Sequence, residues 1–320
     1  MTIFVTGGSG FVGLNLLEQL LARGDNVVSF SLAPPPARAK QAFERLPGSL
    51  CHVDGDVRDA AAVSAAMTQS APRCVIHAAV ITAGIERERR DPAAIVSTNV
   101  GGSVNVLDAA RQQGVERFVY LSSASVYGAN ALSAEVLSEE QTAPLPQSLY
   151  AVSKYAAEGI ARRYGCVFDL HVVAARLSAV FGRWEHDTGL RDTLSPPYLL
   201  TRMAAAGDAA VLADEGQRDW IYGPDVAAGI IALLDATVLH HDVYNIGTGQ
   251  TWSLRQWCEK LAARRPAFSY RVGAATDADL SLDPGRRAPL SNARISQDTA
   301  YNPRFGLDES FDDYLEWIDE

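Results

Sequence analysis

Tyr150 and Lys154 are the residues whose types and spacing first suggest chemistry. Ser148 before them and the alanines after them predict a helix, in which a spacing of four places both side chains on one face, about one turn apart. A free phenol has a pKa of about 10, so Tyr150 alone would be a poor base at neutral pH, but a neighbouring ammonium favours the phenolate. Such a pair can take a proton from an alcohol or return it. For YxxxK alone, a chance meeting on a surface helix is the favoured alternative.

Hydroxyl side chains occur where Ser122, Ser123 and Ser125 follow the apolar run 118–121. That run predicts a buried parallel strand, and open α/β sheets bind ligands at the carboxyl ends of their strands. A serine placed there would hydrogen-bond the oxygen of a reacting substrate. We therefore predict that Ser123 orients the substrate, with Ser125 beside it and Ser122 facing a cofactor.

A glycine-rich segment near the N-terminus has the spacing of a dinucleotide-binding turn. Residues 6–13 are TGGSGFVG, between an apolar strand pattern and an apolar helix pattern. Glycines so spaced allow a tight turn, close approach of the backbone to a pyrophosphate at the helix N-terminus, and close packing of helix on sheet. The predicted contacts are Gly7, Gly10, Phe11, Val12 and Gly13.

Asn99 lies in the predicted helical segment 91–113, where it is too polar for a core position and too far from either end for a cap. Together with the glycine motif, Ser123 and the YxxxK at Tyr150 and Lys154, it makes the chain resemble the extended short-chain dehydrogenase/reductase family. The resemblance covers essentially the whole length. It is specific for fold and chemistry and unspecific for substrate.

The resemblance implies an α/β fold, a doubly wound Rossmann parallel sheet with a smaller C-terminal substrate-binding lobe. It assigns residues 1–176, with strand and helix returns near 219–248, to the dinucleotide-binding domain. Residues 177–218 and 249–320 then form the smaller lobe. Because the helices 91–113 and 149–164 pair with a second subunit in this family, the resemblance also implies a homodimer.

The same resemblance implies hydride transfer at a secondary alcohol. Tyr150 would act as acid and base, Lys154 would lower its pKa and bind the nicotinamide ribose, Ser123 would orient the substrate oxygen, and Asn99 would support a loop or a water relay. A net oxidoreductase acting on a sugar, sugar acid or similar polyhydroxy compound is the favoured function. The alternatives are a nucleotide-sugar epimerase with tightly bound NAD and a dinucleotide sensor without catalysis.

Two positions bear on these alternatives. Dehydratases resembling this chain have an Asp and a Glu after the catalytic hydroxyl residue, where this chain has Ala124 and Ser125. Nucleotide-sugar epimerases usually have an Asn near the end of the later strand, where it has Ser178 and Ala179. The first difference disfavours dehydration, and the second counts against a nucleotide sugar.

The cofactor is expected to be NAD(P), with NADP preferred. Ser31 stands where the family usually has an acidic residue for the adenosine ribose, and Arg38 and Lys40 follow it. A basic side chain there would pair with a 2′-phosphate; the solvated start of a surface helix is the equal alternative. The other predicted cofactor contacts are Asp56, Val57, Ala78, Ala79 and Val80, with Asn99, Ser122, Tyr150 and Lys154.

A charged, aromatic segment, residues 183–192, follows the strand pattern that ends near Ser178. Because it leaves the sheet on the ligand side without periodicity, we predict a binding loop or lid. Arg183, Arg191 and Arg218 would then be available for a carboxylate or phosphate of a small-molecule substrate, and Ser178 for its hydroxyl groups.

Composition excludes other classes of protein. With 28 basic and 38 acidic residues the formal net charge is −10, which argues against nucleic acid, whose binding depends on phosphate neutralisation. The chain begins directly in a strand pattern and has no apolar run near the roughly 20 residues of a membrane span, so we expect a cytoplasmic protein without membrane contact. The four cysteines lack CxxC spacing, and we expect reduced core thiols and no metal.

Overall fold

A parallel sheet of seven strands forms the centre of the protein. The structure is a computed structural model that describes residues 1–274 and 287–320. Its strands are β1 (Thr2–Thr6), β2 (Asn26–Ser31), β3 (Ser49–Asp54), β4 (Cys74–His77), β5 (Arg117–Ser123), β6 (His171–Leu177), β7 (Ala179–Phe181), β8 (Ala209–Leu212), β9 (Trp220–Tyr222), β10 (Val243–Ile246) and β11 (Ser269–Val272).

The strand order of the central sheet is β10, β6, β5, β4, β1, β2, β3. The chain starts in the middle at β1, builds outward to β3, and then crosses back to β4 and builds towards β10. In register, Thr6 at the end of β1 lies between Phe30 of β2 and His77 of β4. The change of direction between β1 and β4 opens a crevice at the carboxyl ends of the strands, which is where open α/β sheets bind ligands.

Helices cover both faces of the sheet and bury two hydrophobic cores against it. Helices α1, α2, α9 and α11 pack on one face, and α3, α6 and α7 pack on the other. The helices are α1 (Phe11–Ala22), α2 (Ala37–Phe43), α3 (Ala60–Ser70), α4 (Ile85–Arg90), α5 (Pro92–Val96), α6 (Ser103–Gln112), α7 (Leu149–Val167), α8 (Pro196–Ala206), α9 (Gly223–Asp235), α10 (Leu254–Arg264), α11 (Ala293–Thr299) and α12 (Leu307–Asp319).

A third core, rich in aromatic side chains, lies in the C-terminal part of the chain. The Phe181 ring packs edge-on against Trp252 and Trp257, with centroids 5.4 and 5.3 Å apart. Strands β7 and β9 pair there, as do β8 and β11, and α8, α10 and α12 enclose them. This smaller assembly stands beside the crevice because β7 directly follows β6 of the main sheet.

The predicted helix 91–113 consists of three parts. Between α5 and α6 the backbone widens into a π-helix, Ser97–Gly102, with Asn99 near its centre. Single π-helical turns occur frequently at functional sites, and the Asn99 side chain makes the hydrogen bonds described below. A 3₁₀-helix, Ala124–Leu132, follows β5.

All four cysteines are free thiols. Cys74 and Cys258 are buried as expected, but Cys51 and Cys166 are exposed, because β3 is the edge strand of the sheet and Cys166 lies in the last turn of α7. Within residues 1–274 and 287–320, no helix is both long enough and apolar enough to cross a membrane.

Candidate active site

A cavity of about 870 Å³ runs along the carboxyl ends of the strands. Its wall contains the glycine-rich turn, the ends of β2 and β3, the segment after β4, the end of β5, the first turns of α7 and the loop after β7. The predicted residues in the wall are Gly7, Gly10, Phe11, Val12, Gly13, Ser31, Asp56, Val57, Ala78, Ala79, Val80, Ser122, Ser123, Tyr150, Lys154, Ser178 and Arg191. Most residues chosen from separate sequence motifs therefore meet in one place.

The glycine-rich turn leaves no room for side chains. Gly7 has φ +68°, and a Cβ there would lie 2.7 Å from the backbone nitrogen of Ala79. A Cβ on Gly13 would lie 2.2 Å from the carbonyl oxygen of Gly7. Helix α1 begins after Gly10 without a side-chain cap or an acidic residue in its first turn, so its first amide groups face the cavity as donors for an anion. This cradle fits the pyrophosphate of a dinucleotide.

Helix α7 holds Tyr150 in its first turn. The Ser148 hydroxyl accepts a hydrogen bond from the Ala151 amide at 3.2 Å, and Glu88 of α4 accepts one from the Leu149 amide at 2.9 Å. Two caps therefore fix the start of the helix and the direction of the tyrosine. The phenol then points into the cavity wall between β5 and the segment after β4.

The Tyr150 hydroxyl lies beside Ser123 and Thr82. Burial raises the pKa of Tyr150, while hydrogen bonds with Ser123 and Thr82 and the positive charge of Arg191 lower it. The sequence predicted a lower pKa caused by Lys154. The structure instead shows a raised one, because burial outweighs the favourable contacts and the cation that acts on the phenol is Arg191. Tyr150 in the protein alone is therefore a neutral acid.

Lys154 is 4% exposed and lies at the cavity wall. Its Nζ is 4.4 Å from the centre of the Tyr120 ring, and none of the hydrogen bonds among residues 1–274 and 287–320 uses this nitrogen. Burial lowers the pKa of Lys154 to about 7, although Glu158 raises it. An ammonium group that keeps its donors directed at a cavity would bind hydroxyl groups such as those of a ribose.

Asn99 lies outside the cavity wall and acts through its neighbours. Its Oδ1 accepts from the Ile81 amide at 2.8 Å, and its Nδ2 donates to the Ile81 carbonyl at 3.1 Å and to Ser153 Oγ at 3.0 Å. These bonds tie the segment after β4 to α7, one residue away from Lys154. Of the two roles considered from the sequence, the contacts correspond to support of a loop.

The adenosine end of the cavity contains Ser31 but lacks Arg38. Ser31 Oγ accepts from the Ser9 amide at 3.2 Å. Arg38 stacks on the Trp317 ring at 4.0 Å and donates to the Trp317 carbonyl at 2.5 Å, away from the cavity wall. Of the two basic side chains invoked for a 2′-phosphate, Arg38 therefore has another partner and gives no support to the expected preference for NADP.

Three predicted substrate contacts also lie outside the cavity wall. Arg183 forms a two-pronged ion pair with Asp313, which neutralises its charge. Arg218 is buried in the smaller lobe, where its backbone pairs with Trp252. The Ser125 amide donates a hydrogen bond to Ser123 Oγ at 3.1 Å, so it helps to orient the Ser123 hydroxyl. Contact of Arg183, Arg218 and Ser125 with a substrate stays a prediction.

The loop after β7 closes one end of the cavity. The Thr82 amide donates to the Leu190 carbonyl at 2.9 Å, and the Asp192 amide donates to the Thr82 carbonyl at 3.0 Å. The Asp192 carboxylate accepts from the Gly84 amide at 2.9 Å and from Arg87 at 2.7 Å. The predicted binding loop 183–192 is thus fastened to the segment after β4.

Comparison with known proteins decides the family. Residues 3–247 match the model of the NAD dependent epimerase/dehydratase family. The chain belongs to this family. It is therefore an enzyme of the epimerase/dehydratase type, with the extended short-chain dehydrogenase/reductase fold that the motifs resemble.

Similar members of the family have names that describe nucleotide-sugar substrates. The chain is 27% identical to UDP-glucose 4-epimerase of Erwinia amylovora over 99% of its own length and 97% of that protein. It is 31% identical to UDP-glucuronate 4-epimerase 5 of Arabidopsis thaliana over 73% of its length, and it spans about half (54%) of that plant protein. The structure of MoeE5 in complex with UDP-glucuronic acid and NAD has a TM-score of 0.83 and 26% identity, covering 100% of this chain and 99% of MoeE5.

Several cavity residues of this epimerase/dehydratase family member were not identified from the sequence. Thr82 lies beside Tyr150, yet a single threonine after the run 78–80 gave no signal beyond its position in the segment after β4. His186, Asp187 and Thr193 could have been found, because they belong to or follow the predicted loop. Arg287 also lies in the wall, and no local pattern distinguishes it.

Proposed function

We propose that this enzyme is a NAD dependent nucleotide-sugar epimerase that inverts a secondary alcohol by oxidation and re-reduction. The observation that carries the proposal is a single cavity that joins the dinucleotide turn to Tyr150, Lys154 and Ser123. Ala124 and Ser125 follow Ser123, so the carboxylate pair needed to eliminate water is missing there. Relatives named as 4-epimerases now favour the function that the sequence ranked second.

The residues of the chain divide the chemistry among them. Bound NAD would supply a reversible hydride acceptor and a positive charge. Tyr150 would first release its own proton to solvent, which the positive charges of Arg191 and of bound NAD favour. The phenolate would then take the proton of the substrate hydroxyl as its carbon is oxidised, and return it after the sugar has turned its other face. Ser123 and Thr82, which contact the phenol, hold the reacting oxygen in line with it. Since each proton and hydride is returned, the reaction consumes no external oxidant.

We propose NAD as the form of the cofactor. At the adenosine end of the cavity, Asp56 is held by Arg58 through its side chain and its amide. Arg38, the basic side chain proposed for a 2′-phosphate, stacks instead on Trp317. MoeE5 is described with NAD, in agreement with this proposal.

Two cations in the wall suit the anionic parts of a nucleotide sugar. Arg191 packs 5.1 Å from the Phe11 ring centre, and its Nη2 lies 3.3 Å from Glu185. The positive charge of Arg191 lowers the pKa of Tyr150, so Arg191 lies near the proposed site of reaction. Arg287 lies elsewhere in the same wall. A diphosphate or a sugar carboxylate would be attracted to these side chains.

The test is incubation of purified protein with UDP-glucose or UDP-glucuronate and NAD, followed by NMR of the sugar products. We expect the 4-epimer of one of these sugars without net formation of NADH. Accumulation of NADH with an oxidised sugar would instead establish the net oxidoreductase, and a 4-keto-6-deoxy sugar would establish a dehydratase. Tyr150→Phe, which keeps the ring and removes the hydroxyl, is the control for each product.

We also propose a homodimer through α5 and α7. Val96 of α5 and Val152 and Tyr155 of α7 are 43%, 45% and 39% exposed, although α5 and α7 contact each other. A second copy would cover these apolar side chains. Light scattering with size-exclusion chromatography should give about twice the 34.4 kDa chain mass, and Val152→Glu should give the monomer mass; a monomeric wild type would reject the proposal.

A further inference from the structure

A buried ion pair lies directly behind the cavity wall. Arg176, at the end of β6, donates to Glu158 of α7 through Nε at 3.0 Å and Nη2 at 2.6 Å. The Glu158 side chain is fully buried and that of Arg176 is 4% exposed. Because removing two charges from water is costly, such a pair contributes little net stability. Net stability therefore does not account for this buried ion pair.

Glu158 also reaches the cavity through a neighbour. Ser122 Oγ donates to Glu158 Oε2 at 2.6 Å, and Ser122 is part of the cavity wall. Glu158 thus accepts from Arg176 on one side and from the wall on the other. Its carboxylate is held in one place by side chains from two neighbouring strands, β5 and β6.

The same carboxylate is one helical turn from Lys154. The groups that face Lys154 are the Tyr120 ring on β5, His77 on β4 and Glu158 on α7. His77 is fully enclosed, and burial lowers its pKa to about 3, so it is neutral. Glu158 is therefore the group that supplies negative charge to Lys154 among the described residues.

We infer that Glu158 is a positioning residue for the proposed reaction. It maintains the positive charge of Lys154 at the cavity wall, while Arg176 and Ser122 hold its carboxylate in place. Without this charge, an enclosed lysine would stay neutral and would offer fewer donors to a ribose. This inference rests on the proposed function for its catalytic meaning, but its electrostatic part has a direct readout.

The composition of the chain makes that readout simple. Its three lysines are Lys40, Lys154 and Lys260, so protein labelled with ¹³C-lysine gives three side-chain signals to follow by NMR during a pH titration. Lys40 is exposed, and Lys260 pairs with Asp308 at 2.6 Å. Conservative Lys40→Arg and Lys260→Arg variants assign the spectrum without altering the cavity.

The decisive variant is Glu158→Gln, which keeps the shape and removes the charge. We expect the Lys154 titration to move down by roughly one to two pH units, the effect of one charge about one helical turn away at an effective dielectric constant of about 20. Glu158→Asp should remain close to wild type. Glu116→Gln, the same change in an exposed pair with Arg73, should leave Lys154 unaffected.

An unchanged Lys154 titration in Glu158→Gln would overturn the inference. If the lone buried Arg176 prevents folding, the double variant Glu158→Gln/Arg176→Met removes both charges. It should still lower the titration point, but by less than Glu158→Gln alone, because the positive charge of Arg176, which lies beyond Glu158, is lost as well. In the active enzyme, the alkaline limb of the pH profile should shift down with it. A shifted Lys154 in a protein that epimerises no nucleotide sugar would reject the proposed function and retain the electrostatic result.

Discussion

Replacing Lys154 by methionine should abolish turnover and change how the stability of the protein depends on pH. Burial lowers the pKa of Lys154 from 10.5 to about 7 in the folded protein. Between these values the unfolded chain carries a proton on this lysine that the folded protein has lost. The unfolded state then binds more protons, so this lysine makes the free energy of unfolding rise with pH across that window.

The size of the effect follows from the two pKa values. For one group with pKa 10.5 unfolded and about 7 folded, the free energy of unfolding rises by about 3 kcal/mol between pH 7 and pH 9.5. Methionine has a similar length and no charge, so the variant lacks this contribution. Wild type should therefore gain about 3 kcal/mol relative to Lys154→Met over that interval.

Urea unfolding of both proteins at pH 7 and pH 9.5 measures this difference. The comparison with the variant is needed because other groups also titrate in this range. Burial raises the pKa of Cys74 and, to about 12, that of Cys258. These thiols make the free energy of unfolding fall as the pH rises, but they do so equally in both proteins. A difference in stability between wild type and variant that stays constant with pH would refute the reasoning. It would mean that Lys154 remains charged when the protein is folded.

Three further substitutions test the site. Tyr150→Phe should lower turnover by about 10²- to 10⁴-fold while calorimetry shows unchanged NAD binding; retained turnover would remove Tyr150 from the mechanism. Gly13→Ala places a Cβ 2.2 Å from the Gly7 carbonyl oxygen and should abolish NAD binding. The control is Gly159→Ala, whose Cβ would have no atom within 4 Å and which should bind NAD as wild type does. Equal binding of NAD by both variants would argue against the cradle. Asp192→Asn weakens the fastening of loop 183–192 and should raise KM about two- to fivefold with little change in kcat; steady-state kinetics with a lower kcat and an unchanged KM would contradict that role.

The residues that the sequence located are those whose roles depend on local spacing. Gly7 and Gly13 are defined by the turn between β1 and α1, and Tyr150 and Lys154 by one turn of α7. Ser123 follows a strand whose apolar run shows that it is buried. Since parallel strands place their carboxyl ends at one edge of the sheet, these separate motifs were bound to meet.

The charged side chains required the tertiary structure. Arg38 lies against Trp317, 279 positions away, and Arg183 pairs with Asp313, 130 positions away. An arginine binds the nearest acceptor in space, and no local pattern shows whether that acceptor is a ligand or another part of the chain. The sequence alone therefore could not show that Arg191 is part of the cavity wall and that Arg183 is not.

The protonation states were also decided by packing. The spacing of Tyr150 and Lys154 is visible in the sequence, but their pKa values depend on burial, which raises that of the phenol and lowers that of the ammonium. Glu158, one turn further along α7, acquires its effect on Lys154 only because β5 and β6 enclose it with Ser122 and Arg176. The sequence determined which groups are proposed to carry out the chemistry, and the fold decided which of them are charged, because the free energy of a charge depends on its distance from water and from other charges.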